Sequence, residues 1–124
     1  MHKRTNQCRD EVGRWDTGSG KLEFDLSLEE NVLQELKEEY GCTGEILEQL
    51  PAHDIFRTQN DQKTHWVSVA FFIKINPVDV VNGEPHKIED ITWFPLHKLP
   101  EPLHTGFAHT FNRYKANFEK YMQK

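Results

Sequence analysis

The chain has 124 residues, room for one domain built around one main core. Its content of 36% hydrophobic and 11% aromatic residues is that of a packed globule, while a formal charge of −5 argues against a nucleic-acid polymer as partner. Two cysteines exclude a disulfide framework or a zinc knuckle; with no long apolar run and a polar start from Met1 to Asp10, a cytoplasmic protein with no membrane partner is expected.

In chain order, the first well-marked element is a helix opening at Ser27. Ser27 and Glu30 form a capping box, each side chain placed to take the other's backbone N–H. Leu28, Val32, Leu36 and Tyr40 recur every four residues with Leu33 beside them, and Gly41 closes the helix by accepting a left-handed backbone. Short strands follow at Glu45 to Leu50 and Asp54 to Thr58, with a turn over Gln59-Asn60-Asp61-Gln62. Trp66 to Ile75 alternates so regularly that one continuous strand, buried on both faces, is expected. Asn82-Gly83 marks a tight turn, Ile88 to Phe94 a strand stopped by Pro95, and Pro100 with Pro102 an extended connection. Phe107, Phe111, Tyr114, Phe118 and Tyr121, spaced 4, 3, 4 and 3, predict one amphipathic helix whose aromatic stripe is core packing.

The chemistry concentrates on the first helix. At 100° per residue, Glu35 and Glu39 fall at the edge of its apolar stripe, half turned inward. Glu35, Glu38 and Glu39 are like-charge neighbours three and four residues apart, near the helix end that prefers cations, and no Lys or Arg stands at relieving spacing. The usual fate of such a run is a solvated face. A hard divalent cation would also relieve the repulsion, since Mg2+ shares its shell between a few carboxylates, waters and substrate phosphates.

Two stretches carry a resemblance: Gly20-Lys21-Leu22-Glu23, and Gln34-Glu35-Leu36-Lys37-Glu38-Glu39-Tyr40-Gly41-Cys42. Together, over about residues 20–42, they resemble the box of the Nudix hydrolases, G-x5-E-x7-R-E-U-x-E-E-x-G-U with U aliphatic. Arg14-Trp15-Asp16 before it, and Glu84-Pro85-His86-Lys87 and Thr92-Trp93-Phe94 after it, extend the likeness to residues 13–103. The resemblance implies a single domain over 1–124 with a Nudix-type α/β/α sandwich and a mixed central sheet. It implies Mg2+, or Mn2+, held by Glu35, Glu38, Glu39 and the Gly20 carbonyl, with Glu35 also orienting the base. The implied reaction is attack of water on a nucleoside diphosphate linked to another moiety: a nucleoside triphosphate, a sugar nucleotide or a dinucleotide. A noncatalytic module that binds a nucleotide or a protein is the alternative.

Three positions depart from the pattern. Leu26 stands where the box has an acid, Gln34 where it has an Arg that orients neighbouring carboxylates, and Asp25 where a Gly is usual. Asp25 would replace the missing acid only if the helix began one residue out of place. The family's opening strand precedes the segment matching Met1-His2-Lys3-Arg4, so the sheet is expected to expose an edge open to a homodimer partner. Glu84 is a candidate further acid and Trp66 a candidate stacking residue for the substrate, as are Phe72 and Trp93; His53, His65 and His86 are weaker pocket candidates, and Cys42 is expected to pack as a small hydrophobe.

Overall fold

The structure, a computed structural model, describes residues 1–121. The described residues fold as two compact units: Met1–Thr17, Ile55–His65 and residues 86–121 make one, Gly18–Asp54 and Trp66–Pro85 the other.

The first unit is organised on β1 (His2–Arg4), three residues without a strand signal in the sequence. It is the middle strand of three, antiparallel to β2 (Trp15–Asp16), with His2 opposite Asp16, and to β7 (Ile88–Ile91), with His2 opposite Ile91. A parallel bridge joins Trp15 to Leu103, so the pairing in this unit is mixed. β7 is shorter than the alternation of residues 88–94 predicts, and Trp93 beyond it is 58% exposed rather than packed. The aromatic stripe forms two helices, α2 (Thr105–Arg113) and α3 (Lys115–Tyr121), because Tyr114 leaves helical geometry at φ −115° and ψ 32°. The stripe still packs upon itself: Phe118 meets Phe111 and Phe107 edge-on, with centroids 5.1 and 5.9 Å apart.

The second unit holds α1 (Leu28–Tyr40), and its ends follow the sequence signals. Ser27 accepts the Glu30 N–H at 3.1 Å, Glu30 accepts the Ser27 N–H at 3.1 Å, and Gly41 sits at φ 66° donating to the Lys37 carbonyl. β3 (Glu45–Gln49) pairs antiparallel with β6 (Phe71–Lys74), with a register shift between Ile46 and Glu48. Leu50 and Cys42, 1% and 3% exposed, are its most deeply buried apolar residues.

The strand expected over residues 66–75 is two strands. β4 (His53–Gln59) and β5 (Gln62–Ser68) make a hairpin, turned by Asn60 and Asp61 at φ 48° and 63° as a two-residue hairpin turn requires. Val69 and Ala70 then break the strand, and β6 takes β3 as its partner instead. On β5 it is Thr64, Trp66 and Ser68 that turn inward, while Val67 is 71% exposed, so this segment is not buried on both faces.

Candidate functional site

The segment from Gly18 to Phe24 belongs to no strand, so its backbone groups need partners from elsewhere, and α1 supplies them. Asn31, Glu35 and Glu39 stand four residues apart and line one face of the helix. Asn31, 8% exposed, accepts the Glu23 N–H at 2.9 Å and donates to the Lys21 carbonyl at 3.3 Å. Glu39, 6% exposed, accepts the Ser19 N–H at 3.0 Å. Between them Gly20 lies against Glu35 so closely that a Cβ there would stand 2.3 Å from both carboxylate oxygens. The loop thus runs antiparallel to the helix, residue 23 beside Asn31 and residue 19 beside Glu39. The lengths match: eight helical residues rise about 12 Å, and four extended residues reach about 13 Å.

A second helical row carries Gln34 and Glu38. The Gln34 amide donates to Glu23 Oε2 at 2.9 Å and to Glu38 Oε1 at 3.1 Å, linking loop and helix through two carboxylates. Glu38 is exposed, whereas Glu35 is half-buried and Glu39 buried, as their helical angles predict. Asp25 does not take the place of the acid missing at Leu26: it is exposed at φ 68°, and Ser27 caps the helix without a shift.

The far end of α1 is closed by Val81–Gly83, whose Val81 and Gly83 N–H groups donate to the Tyr40 and Glu39 carbonyls at 2.9 and 3.0 Å. Gly83 is required there because a Cβ would stand 2.1 Å from the Glu38 carbonyl oxygen. Glu84 follows directly, half-buried, its N–H held by Asn82 Oδ1 at 3.0 Å, so the chain passes the end of α1 that bears Glu38 and Glu39 just before it reaches Glu84. Trp66 is placed by β5 and half-buried there. His53 is 4% exposed with its Nδ1 at 3.0 Å from the Pro51 carbonyl, a structural contact, and His65 packs its ring on Phe56. Cys42 is buried as a small hydrophobe, and that burial pushes its thiol pKa up.

As donors these groups suit a hard cation, since carboxylates and loop carbonyls offer only oxygen. The bare Cα of Gly20 leaves the Glu35 carboxylate a space that any side chain would fill. Among the described residues, however, no three His, Cys, Asp or Glu side chains converge as a metal-holding set. Glu38 is turned to Gln34 rather than toward such a set.

Neither Asn31 nor Glu23 stands out in the sequence as a site residue, and the signal for both was indirect: a loop without strand partners beside a helix with a polar residue on its inward face. The first unit holds a second group of charges that sequence spacing does not bring together. Asp10 bonds Arg4 at 2.9 Å, Gln59 at 2.8 Å and Arg57 at 3.4 Å, while Glu11 accepts the Thr105 N–H at 2.8 Å. Burial pushes the Asp16 carboxyl up to about 7 although Arg4 lies 3.9 Å away, and burial lowers His2 and His104 to about 4.

The NUDIX domain family model matches residues 1–114. No curated protein matches the chain. Among solved structures, the MutT NUDIX hydrolase from Burkholderia pseudomallei is similar, with a TM-score of 0.77 and 26% identity, over 91% of this chain and 84% of that one. The mixed helices and small sheets are those of that fold, and with the family model spanning nearly the whole sequence, this chain belongs to the NUDIX family.

Proposed function

We propose that the chain hydrolyses a nucleoside diphosphate linked to another moiety, using Mg2+ or Mn2+ bound at the face of α1 that carries the loop. The observation that carries this reading is the loop laid along Asn31, Glu35 and Glu39, with Gly20 pressed side-chain-free onto the Glu35 carboxylate. Glu35, Glu39 and the Gly20 carbonyl would hold the cation, with Glu38 joining them after release from Gln34. When bound, the ion supplies charge neutralisation of the diphosphate and a bound water of lowered pKa. The chain's own residues fix the geometry: Asn31 sets the loop's height on the helix, Glu39 anchors it at Ser19, and Glu35 is the group best placed to orient an attacking water. Glu84 is a further acid at the same helix end, and Trp66 a stacking surface for a base.

A panel of nucleoside triphosphates, sugar nucleotides and dinucleotides tests this, with the two phosphorylated products of diphosphate cleavage separated and measured in Mg2+ and in Mn2+. Turnover of at least one class, lost in Glu39→Gln, is expected. A second reading, a module that binds nucleotides without cleaving them, is favoured by Leu26 and Gln34 at the acid and Arg positions of the box. Background product formation across the panel together with retained nucleotide binding would establish that reading instead.

A further inference from the structure

We infer that Gln34 is a positioning residue that tunes cation affinity by holding Glu38 away from Glu35 and Glu39, an inference that rests on the proposed metal site. One amide nitrogen spends both hydrogens on carboxylates, reaching Glu23 Oε2 at 2.9 Å and Glu38 Oε1 at 3.1 Å. This accounts for the lack of a converged three-acid set among the described residues even though Glu35, Glu38 and Glu39 share one stretch of helix. Glu38 is exposed, so its side chain can swing, and the hydrogen bond to Gln34 is what the ion must displace to recruit it.

The sign of the effect follows from two contributions that act together. A neutral amide orders two carboxylates without cancelling either charge, so the repulsion that a divalent cation relieves is retained. Shortening residue 34 removes the competing hydrogen bond and the bridge, leaving Glu38 available and the anions still crowded; both changes favour the ion. Placing a guanidinium at residue 34 does the reverse, because it binds carboxylates more strongly than an amide and adds a positive charge beside the cation. The loop is not released in either case, since Asn31 and Glu39 hold it independently.

Mn2+ binding by the whole chain, followed by calorimetry and by the loss of free-ion signal in electron paramagnetic resonance, reads this without any turnover. For Gln34→Ala the dissociation constant is expected to fall about tenfold, the scale of one hydrogen bond to a charged group. For Gln34→Arg it is expected to rise by about the same factor. Melting curves accompany each titration, and a merely structural role for Gln34 would move those curves while leaving the order of affinities unchanged. Equal affinity in all three proteins, or the opposite order, overturns the inference while leaving the hydrolase proposal standing. Absence of Mn2+ binding in all three, at millimolar ion, overturns both.

Discussion

Two glycines on either side of α1 separate what holds the site from what holds the fold. At Gly20 an added Cβ would lie 2.0 Å from the Glu35 carboxyl carbon, more than an ångström inside contact distance, but the obstacle is the far end of a flexible side chain. Swinging Glu35 aside costs about 0.5–1.5 kcal/mol, the scale of an off-rotamer side chain. At Gly83 the Cβ would lie 2.1 Å from the Glu38 carbonyl oxygen, and backbone cannot swing. Gly83→Ala must lift the segment from α1, losing the hydrogen bond to the Glu39 carbonyl; overpacking of about 1–3 kcal/mol adds to about 1 kcal/mol for that bond. For a domain of this size each kcal/mol shifts Tm by about 3–5 °C. Thermal unfolding should therefore show Gly20→Ala down by a few degrees and Gly83→Ala by on the order of 10 °C. Mn2+ titration at low temperature should rank them the other way, with Gly20→Ala weakened at least about tenfold because the displaced carboxylate is a proposed ligand. If Gly20→Ala binds Mn2+ as the parent does, the close approach of loop and Glu35 has no part in a metal site and the argument fails.

Asn31→Ala leaves the Glu23 N–H and Lys21 carbonyl without their partner and should cost about 1–3 kcal/mol, read as a lower denaturant midpoint with an unchanged m-value. Glu39→Gln keeps an oxygen to accept the Ser19 N–H but loses its charge, so Tm should change little while turnover falls about a hundredfold or more; a matching collapse of Tm would mean that the charge serves the fold. The pH dependence has a definite sign. His2 and His104 are lowered from 6.5 to about 4, so between pH 5 and 6 the unfolded chain carries two imidazole protons that the native state lacks, a contribution lost as pH falls. Asp16, raised from 3.8 to about 7, carries one native proton that the unfolded chain lacks, a contribution lost as pH rises. The difference is one proton, so stability should rise by about 1.4 kcal/mol per pH unit in that window, and Asp16→Asn should roughly double the slope in urea unfolding.

The helix was legible to the residue because its signals are local: a cap at Ser27, a stop at Gly41, and a stripe between them whose edge places Glu35 and Glu39. The break at Val69 and Ala70 was not, since alternation continues through Ser68 to Phe71 and only the change of partner, from β4 to β3, ends one strand and begins another. Tyr114 likewise keeps the spacing of its aromatic neighbours while its backbone leaves the helix, because stripe periodicity records which side is apolar rather than where the axis bends. The buried charges around Asp16 lay beyond reach for a plainer reason: Asp10, Glu11, Arg57 and His104 meet only after strands far apart in sequence have paired.

The candidate residues also differ in what they do for the fold itself, and that difference follows from a loop with no sheet to join. A strand would have satisfied residues 19–23 with backbone partners and left the helix free to carry any side chains. Here the partners are themselves side chains of α1, so Asn31 and Glu39 are fixed by the loop's need for hydrogen bonds as much as by chemistry. Because such a ladder is built at a four-residue repeat, the group it leaves between the two anchors is residue 35, and the only loop residue that can pass over it is one with no Cβ. The geometry that holds the loop therefore already delivers a carboxylate, a bare backbone and their spacing to one place. Glu38, one row away and bound to a neutral amide, is the member of the acidic trio whose position is left adjustable.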